Sequence, residues 1–340
     1  MQSNRKLKLV LFCALVLLPL VLTLSRPVSA KGEGHPLTSN FTYQLALPGR
    51  RLSFPADHYA HPDFQTEWWY YTGHLETESG KRYGYQVTFF RFGVRDRQQE
   101  MKEKPLFTEL YMAHFALSDL TAKKFIYRER INRGYGERAG AATDRYRVWN
   151  EDWKVEGDNK EHRIFAGDRG TTLALGLRSL KPPVLHGQNG LSQKGEGEGR
   201  ASYYYSLTRM QTEGELTIDG RKERVQGLSW MDHEFGSNQL GEDQVGWDWF
   251  SIQLDNKTEL MLYLMRRKDG SIEPYSSGTL VNPDGTSRHL ALEDFRIEIS
   301  ERWKSSKSGA SYPMKWKVSL PAEELQLEIT PGFPAQELIT

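Results

Sequence analysis

The stretch "TEWWYYTGHLETESGKRYGYQVTFFRFGV", residues 66–94, contains two runs of aromatic and β-branched residues separated by "ESGK". Two such runs joined by a short turn that contains Gly are typical of an antiparallel β-hairpin. Successive side chains of a strand point to opposite faces, so Trp69 and Tyr71 share one face of the first strand. Trp68 and Tyr70 share the other face. Because large aromatic rings occupy both faces, each face must either be covered by protein or line a cavity.

The same pattern continues along the chain and predicts an all-β protein. Short alternating segments are separated by turns such as Asp-Gly, Asn-Lys and Pro-Asp-Gly at intervals of about 8–12 residues, which is typical of sandwiches and barrels. A single antiparallel barrel would be large for this number of strands. We therefore expect two barrels, the first over residues 41–232 and the second over residues 233–340. The Gly-rich stretch "GQNGLSQKGEGEGR", residues 187–200, is expected to be a flexible surface loop.

Residues 1–30 have the composition of a secretory signal peptide. A basic start is followed by sixteen mostly apolar residues, and Val28 and Ala30 occupy the small-residue positions of a cleavage site. The alternative is a membrane anchor, but this segment is interrupted by Pro19 and is shorter than the roughly 20 residues that a spanning helix needs. We therefore expect cleavage after Ala30, a linker over residues 31–40, and a periplasmic or secreted protein.

Loss of the leader also changes what the composition allows. The leader contains the only cysteine of the chain, Cys13, and four basic residues, so the formal charge would fall from +1 to −3. A protein without cysteine forms no disulfide and has no thiolate chemistry. A nearly neutral mixture of charges gives no reason to expect nucleic acid as a partner, and membrane contact is expected to be indirect or transient. Composition leaves the oligomeric state open.

The stretch "SWMDHEFG", residues 229–236, places an acid, a base and a second acid between aromatic residues. Strand alternation would direct Trp230, Asp232 and Glu234 to one face and His233 to the other. One interpretation is an ion-pair and hydrogen-bond cluster that holds two barrels together. The other is a carboxylic acid whose pKa is raised by apolar surroundings and which donates a proton to a substrate. The residues alone do not decide between the two.

Other aromatic and imidazole side chains are candidates for ligand binding. In "VGWDWFSIQL", Trp247 and Trp249 share one face, while the aliphatic residues of the other face are typical of a core. The two tryptophans would then face either the other barrel or a ligand cavity, and Trp is the ring that best stabilises a cation. His114 alternates with Met112 and Ala116, where it is either a ligand donor or a core histidine whose nitrogens have partners.

No motif in the sequence indicates a cofactor. The chain lacks a Gly-x-Ser-x-Gly elbow, a phosphate-binding loop, a dinucleotide fingerprint and a His-Glu-x-x-His motif. His58 and His61 lie close to Asp57 and Asp63, but in a Pro-containing loop, so a metal site there is only weakly indicated. We therefore predict no cofactor and assign no metal ligand.

Five ordered motifs resemble one known family. They are "HPDFQTEWWYYTGHL", "YGYQVTFFR", "LYMAHFALSD", "SWMDHEFGS" and "GWDWFSIQL…ELMLYLMR". Over residues 41–329 they resemble the AttH / CrtC-type lipocalin-like family, which includes secreted predicted hydrolases and carotenoid 1,2-hydratases. The resemblance implies two lipocalin-like antiparallel β-barrel domains packed side by side, with a hydrophobic ligand site in or between them. It also implies closing strands beyond Thr340, so the second barrel is expected to be incomplete at the end of the printed sequence.

The carotenoid hydratases carry a motif that this chain matches in part. The resemblance implies a role for His233, which stands at the position of their histidine. Phe235 stands where they have Trp, and Tyr263 is followed two residues later by Met265 in place of Asp. Because two of the four positions differ, carotenoid hydration itself is not expected here.

The leading hypothesis is an exported lipocalin-like protein that binds a lipid or isoprenoid-like molecule, with hydro-lyase-like acid catalysis as its enzymatic form. The candidate catalytic residues are Asp232, His233 and Glu234. The candidate ligand-binding residues are Trp69, Tyr71, His114, Trp230, Phe235, Trp247, Trp249 and Tyr263. The alternative is a binding protein without catalysis, since barrels of this kind hold apolar ligands. A carbohydrate-active protein, with Asp232 and Glu234 as its paired carboxylates, is a third hypothesis.

Overall fold

The structure, a computed structural model, describes residues 43–94, 108–134, 136–168 and 170–339. Antiparallel strands account for most of its regular structure. The described residues also include three short 3-10 helices, at Ala56–His58, Leu292–Asp294 and Pro321–Glu323. Within the described ranges, no helix is long and apolar enough to cross a bilayer. The prediction of an all-β protein is confirmed, whereas the predicted signal peptide (residues 1–30) and linker (residues 31–40) lie outside the described residues.

The largest sheet in the described part of the chain has thirteen strands. In chain order they are β1 (Thr66–Thr77), β2 (Arg82–Gly93), β3 (Glu109–Asp119), β4 (Lys124–Arg133), β5 (Ala139–Ala141), β6 (Tyr146–Asn150), β7 (Trp153–Gly157), β8 (Glu161–Asp168), β9 (Thr171–Ser179), β10 (Val184–Leu185), β11 (Leu191–Gln193), β12 (Ala201–Ile218) and β13 (Arg221–Gly236). Strands β1 and β2 form the predicted hairpin, in which Trp69 lies opposite Phe89. Gly80 in the connecting turn has a φ of +79°, a conformation that Gly adopts without strain.

The strands of this sheet follow the order β4-β3-β2-β1-β13-β12-β9-β8-β7-β6-β5, and β10 and β11 also pair with β12. Side chains of β4 reach β6, near the other end of this order. Asn132 Nδ2 donates to Asn150 Oδ1 at 2.7 Å, and Arg130 donates to the carbonyl oxygen of Asn150 at 3.2 Å. The sheet therefore forms a nearly closed antiparallel barrel.

The barrel encloses an apolar core that alternate residues of its strands supply. The inward side chains are almost completely buried and include Trp69, Tyr85, Phe115, Trp153, Leu175 and Leu207. Removing one such Leu or Phe side chain from water contributes roughly 1.5–3 kcal/mol. This interior is therefore a main source of the stability of the barrel.

Two smaller antiparallel sheets follow the barrel in the chain. The four-stranded sheet contains β14 (Gln244–Gln253), β15 (Glu259–Arg267), β16 (Ser277–Val281) and β17 (Ser287–Leu290). The three-stranded sheet contains β18 (Arg296–Lys304), β19 (Ser311–Leu320) and β20 (Leu325–Ile329). The two sheets share a second apolar core, to which Phe250, Leu262, Trp316 and Ile329 belong. The face of β14 that was expected to be aliphatic core lies in this second core.

A buried ionic cluster joins the barrel to the four-stranded sheet. Glu259 of β15 is fully buried and accepts hydrogen bonds from Lys181 Nζ and Arg209 Nε, both at 2.5 Å. Arg209 belongs to β12, and Lys181 lies between β9 and β10. The cations come from the barrel and the anion from the neighbouring sheet, so removal of the anion would leave two buried charges without compensation.

The Gly-rich stretch at residues 187–200 is not the surface loop that its composition predicted. Its residues Leu191–Gln193 form β11 against β12, and Lys194 is buried. Gly187 has a φ of +66°, and a Cβ at that position would lie 2.1 Å from the carbonyl oxygen of Leu191. Glycine therefore allows a tight turn here, because any larger residue would collide with the backbone of β11.

The predicted boundary between the two domains falls inside a strand. Residues 232 and 233 are consecutive residues of β13, which continues to Gly236 before the barrel sheet ends. The division of the chain into domains at residues 41–232 and 233–340 stays a prediction.

We expect Glu259→Gln to lower the free energy of unfolding by about 3 kcal/mol, because Lys181 and Arg209 would remain buried without an anion. Urea unfolding followed by Trp fluorescence measures this change. Glu215→Gln is the matched control: Glu215 pairs with Lys222 at 2.9 Å, but both side chains are exposed, so its loss should stay within about 0.5 kcal/mol. Equal losses in the two variants would contradict the role assigned to Glu259.

Candidate functional site

Strand β13 divides the predicted catalytic residues between the two faces of the barrel sheet. Trp230, Asp232 and Glu234 lie on the outer face, which packs against the four-stranded sheet. His233 points into the barrel, where its ring stacks on Trp69 with centroids 4.8 Å apart. The alternation that the sequence predicts is observed. It produces two separate polar clusters, one on each face.

The outer cluster contains Lys194, Tyr204, Ser206, Asp232 and Glu234. Asp232 is buried, and its Oδ1 accepts hydrogen bonds from Ser206 Oγ and, at 2.6 Å, from Trp230 Nε1. Burial raises the pKa of Asp232 to about 7, although hydrogen bonds from Ser206, Trp230 and Tyr204 oppose the shift. At neutral pH this carboxyl group is therefore protonated in a large fraction of the molecules, which suits a general acid.

Glu234, in contrast, has a cation beside it. Lys194 Nζ lies 3.2 Å from Glu234 Oε1, and Ser202 Oγ donates to the same oxygen at 2.5 Å. Burial disfavours the charge of Lys194, but its interactions with Glu234 and Tyr263 together outweigh this effect and raise the pKa of Lys194. The ammonium group also lies over the ring of Tyr263, 4.2 Å from its centroid. Glu234 and Lys194 therefore form an ionised pair close to the protonatable Asp232.

Aromatic rings from both sheets surround Asp232. Trp249 of β14 packs edge-on against Tyr70 and Trp230 of the barrel, with ring centroids 5.2 and 6.3 Å apart. Its Nε1 donates to Tyr204 Oη at 3.1 Å. The predicted ligand-binding residues that the fold brings together here are Trp230, Trp247, Trp249 and Tyr263.

His114 lies on the same outer face but at a distance from Asp232. The strand register leads from Asp232 to Tyr70, then to Thr88, and then to His114. Three strand spacings of about 4.8 Å correspond to about 14 Å. His114 Nε2 lies 3.0 Å from a Glu129 carboxylate oxygen, and no described residue forms a hydrogen bond with its Nδ1. His114 is therefore buried on the outer face of the sheet but does not belong to the outer cluster.

The inner cluster contains Asp57, His61, Glu67, Arg91 and His233. Glu67 is fully buried; its Oε1 lies 2.7 Å from His61 Nδ1 and 2.9 Å from His233 Nε2. Arg91 Nε donates to the other carboxylate oxygen at 3.0 Å. Burial alone would raise the pKa of Glu67, but His61, His233 and Arg91 outweigh it and hold this pKa well below its ordinary value. Glu67 is therefore an anion inside the apolar barrel.

The surroundings of His61 and His233 shift the pKa values of these two side chains in opposite directions. His61 Nε2 lies 3.0 Å from Asp57 Oδ1. Although burial disfavours the cation, the two neighbouring carboxylates raise the pKa of His61. His233 is completely buried, which lowers its pKa, and its Nδ1 lies 3.0 Å from Tyr205 Oη. His61 thus carries the positive charge of the pair, and His233 is neutral.

Three of the predicted ligand-binding residues, Trp69, Tyr71 and Phe235, are buried on the inner face. Trp69 Nε1 donates to the carbonyl oxygen of His58 at 3.1 Å. Tyr71 Oη lies 2.7 Å from His162 Nδ1. Phe235 is fully buried. In these positions the protein itself supplies partners for the polar atoms of Trp69 and Tyr71, as it does for the aromatic residues of a core.

The clusters also contain residues that sequence reasoning missed. Lys194 gave no signal, because it lies in a Gly-rich stretch with the composition of a loop. Arg91 had a usable signal: it alternates with Val87 and Phe89, so its charge lies on an apolar strand face and requires a buried partner. Tyr205 occurs in a run of three tyrosines, and only the alternation along β12 shows that it points inward.

The chain is similar to proteins of known family and structure. The sequence profile of the AttH-like family matches residues 45–340. A candidate AttH from Nitrosomonas europaea is 33% identical, with a TM-score of 0.75 over 82% of this chain and 84% of that chain. Kievitone hydratase from Nectria haematococca is 13% identical, with a TM-score of 0.65 over 88% of this chain and 86% of that chain, so its likeness concerns the fold alone. No curated protein sequence matches significantly.

Asp232→Asn should reveal the raised pKa through the dependence of stability on pH. The ordinary pKa of Asp is 3.8, and that of Asp232 in the folded protein is about 7. Between these values the folded protein holds a proton that the unfolded chain has released, so this group's stabilisation decreases as the pH rises through that range. The free energy of unfolding of the variant, relative to that of wild type, should therefore rise as the pH increases from about 4 to about 7, by at most about 1.4 kcal/mol per pH unit. Above about pH 7 this difference should stay constant.

Urea unfolding of both proteins across this pH range measures the difference. Asp144→Asn is the control, because Asp144 is exposed and belongs to neither polar cluster. A stability difference between wild type and Asp232→Asn that is constant over the range would contradict a raised pKa at Asp232.

Proposed function

This chain belongs to the AttH-like family, and we propose that it is an exported protein that binds a hydrophobic small molecule and adds water to it. The observation that carries the proposal is a buried acid, Asp232, whose pKa of about 7 arises among aromatic rings. A lipid or isoprenoid-like ligand is proposed because the surrounding side chains are large and apolar. Export to the periplasm or the medium is proposed from the composition of residues 1–30.

We further propose that the two smaller sheets are the second of two lipocalin-like barrels. Their separate apolar core, which includes Phe250 and Trp316, supports a second folding unit after the first barrel. The domains would then be residues 41–232 and 233–340, with the boundary inside β13 and the outer face of β13 providing a surface on which the second unit packs. The ligand would lie where the two units meet.

The proposed ligand surface has a partly exposed edge, formed by Trp68 and Trp247, and a buried part, formed by Trp249. Trp68 and Trp247 are partly exposed at the edge of the aromatic group, whereas Trp249 is buried behind them. Large aromatic rings offer a wide apolar contact area with little conformational freedom to lose. An apolar molecule that passes Trp68 and Trp247 would reach Trp249 and Asp232 while keeping bulk water away from both.

Asp232 would act as the general acid for addition of water to a carbon–carbon double bond. It donates its proton to one carbon, the neighbouring carbon becomes a cation, and the rings of Trp230 and Trp249 stabilise that charge. A water molecule then forms the carbon–oxygen bond and returns its extra proton to the Asp232 carboxylate. The ionised pair of Glu234 and Lys194 provides the polar edge that holds this water.

Binding without catalysis is the second candidate function. Phe235, at the Trp position of the hydratase motif that the sequence resembles, stacks on His61 inside the barrel, away from Asp232. Met265 is buried on the outer side, where that motif would place a second carboxyl group. These two positions favour a protein that holds its ligand on the same rings and releases it unchanged.

Farnesol, an unsaturated isoprenoid alcohol, is the probe for both functions. Titration should quench the Trp fluorescence of the wild-type protein, and heavy-oxygen water should label a product that mass spectrometry detects. Asp232→Asn should keep its affinity within about threefold but lose water addition by about 100-fold or more, since general acids contribute about 10²–10⁴ in rate. Trp249→Leu should weaken binding by about tenfold or more, because the central ring of the surface is removed.

Asp248→Asn is the matched control. Asp248 is the neighbour of Trp249 on β14, but its carboxylate points to the other face and lies 3.7 Å from Arg266. It should change neither affinity nor water addition. Native mass spectrometry and organic extraction of the protein from its own host identify the natural ligand. Binding without water addition would establish the non-catalytic function. If the fluorescence is not quenched and no ligand is recovered, both functions are excluded.

A further inference from the structure

Three potential metal ligands converge inside the barrel. Within the described residues, one group of His, Cys, Asp and Glu side chains brings three donor atoms within 4.8 Å of one another, and its members are His61, Glu67 and His233. Two imidazole nitrogens and one carboxylate oxygen form a ligand set that binds Zn²⁺ and related divalent ions. We infer that His61, Glu67 and His233 form a Zn²⁺-binding site. It lies on the face of the sheet opposite Asp232, so this inference does not depend on the proposed function.

Each histidine is oriented by a second contact on the far side of its ring. His61 presents Nδ1 to Glu67, while its Nε2 lies 3.0 Å from Asp57 Oδ1. His233 presents Nε2 to Glu67, while its Nδ1 lies 3.0 Å from Tyr205 Oη. In metal sites the second ring nitrogen commonly bonds such a group, which fixes both the ring and its tautomer. The two inner nitrogens therefore point at one carboxylate oxygen, Glu67 Oε1.

A chain of hydrogen bonds leads from His233 to His58 on the side away from Glu67. Tyr205 Oη lies 3.0 Å from His233 Nδ1 and 2.6 Å from His58 Nδ1, and His58 Nε2 lies 3.1 Å from Asn159 Oδ1. Without an ion, His233 Nε2 donates to the Glu67 carboxylate at 2.9 Å. The other tautomer of neutral His233 carries its proton on Nδ1, where the Tyr205 hydroxyl accepts it, and leaves the Nε2 lone pair for an ion.

Aromatic packing holds both ligand rings in place. The His61 ring stacks on Phe235 with centroids 3.6 Å apart and planes 9° apart, and the His233 ring stacks on Trp69. Rings that are already fixed lose little freedom on binding an ion. The His61 side chain is 10% exposed, whereas Glu67 and His233 are fully buried. An ion would therefore reach the site from the side of His61, and water would complete its coordination there.

Metal binding has a defined proton balance. A tetrahedral ion with bonds of about 2.1 Å holds neighbouring ligand atoms about 3.4 Å apart, so the two contacts of Glu67 Oε1 would lengthen by about 0.5–0.7 Å. His61 lies between two carboxylates and gives up the proton on Nδ1, while the proton of neutral His233 moves from Nε2 to Nδ1 and frees a lone pair. Binding of one ion should therefore release about one proton.

The protein is first stripped of metal with EDTA. It is then titrated with Co²⁺, whose visible absorption reports nitrogen and oxygen ligands. Calorimetric titration with Zn²⁺ in two buffers of different ionisation enthalpy measures the number of protons released. Wild type should bind one ion and release about one proton. Glu67→Gln and His233→Gln should weaken binding by about 100-fold or more, and Tyr205→Phe by about 10–100-fold. His289→Gln removes an exposed histidine and should bind as wild type does.

Anomalous diffraction at the zinc absorption edge, from wild-type crystals grown with Zn²⁺, gives an answer even if a variant does not fold. A peak between His61, Glu67 and His233 would support the site. A peak elsewhere only, no peak, or a Co²⁺ spectrum that Glu67→Gln leaves unchanged would overturn it.

Discussion

The alternation of side chains along β13 is the constraint on which both polar clusters depend. This strand lies in the middle of a sheet whose inner face meets the barrel core and whose outer face meets the four-stranded sheet. Asp232 and Glu234 are therefore buried on the outer face of the sheet, and His233 is buried on its inner face. A shift in register by one residue would exchange the two sets and bring each ionisable group against rings that cannot pair with it.

Partners, and not residue types, determine the charge state of each buried acid. Glu67 is ionised because an arginine and two imidazoles surround it, and Glu234 has Lys194 beside it. Among the described residues, those that act most strongly on Asp232 include hydroxyl and indole donors, and burial dominates and raises its pKa to about 7. Glu67 and Asp232, two carboxyl groups of one barrel sheet, thus differ in whether they carry a proton. The proposed metal site and the proposed water addition use this difference on opposite faces of the sheet.

Local pattern was enough for most strands of the fold and for the direction of most site residues, although it missed β11. The hairpin of β1 and β2 and the two faces of β14 were predictable, because period-2 alternation and short turns act over a few residues. Pairing between distant segments was not. Lys194 reaches Glu234 only because β11 adds to β12, and the glycines around it hide this in the composition. The loop that carries His61 likewise gains its partners only when β1 and β13 pair beneath it.

The sequence by itself determined that the chain is an all-β protein, that Asp232 and Glu234 share one face of a strand, and that His233 occupies the other. These follow from the geometry of a single strand. Only the tertiary structure decided what covers each face: Trp249 and Tyr263 lie over the acids, whereas Glu67 and Tyr205 lie beside the histidine. The physical reason is that a pKa and a ligand set depend on atoms within a few ångströms in space, and here those atoms come from strands far apart in the chain.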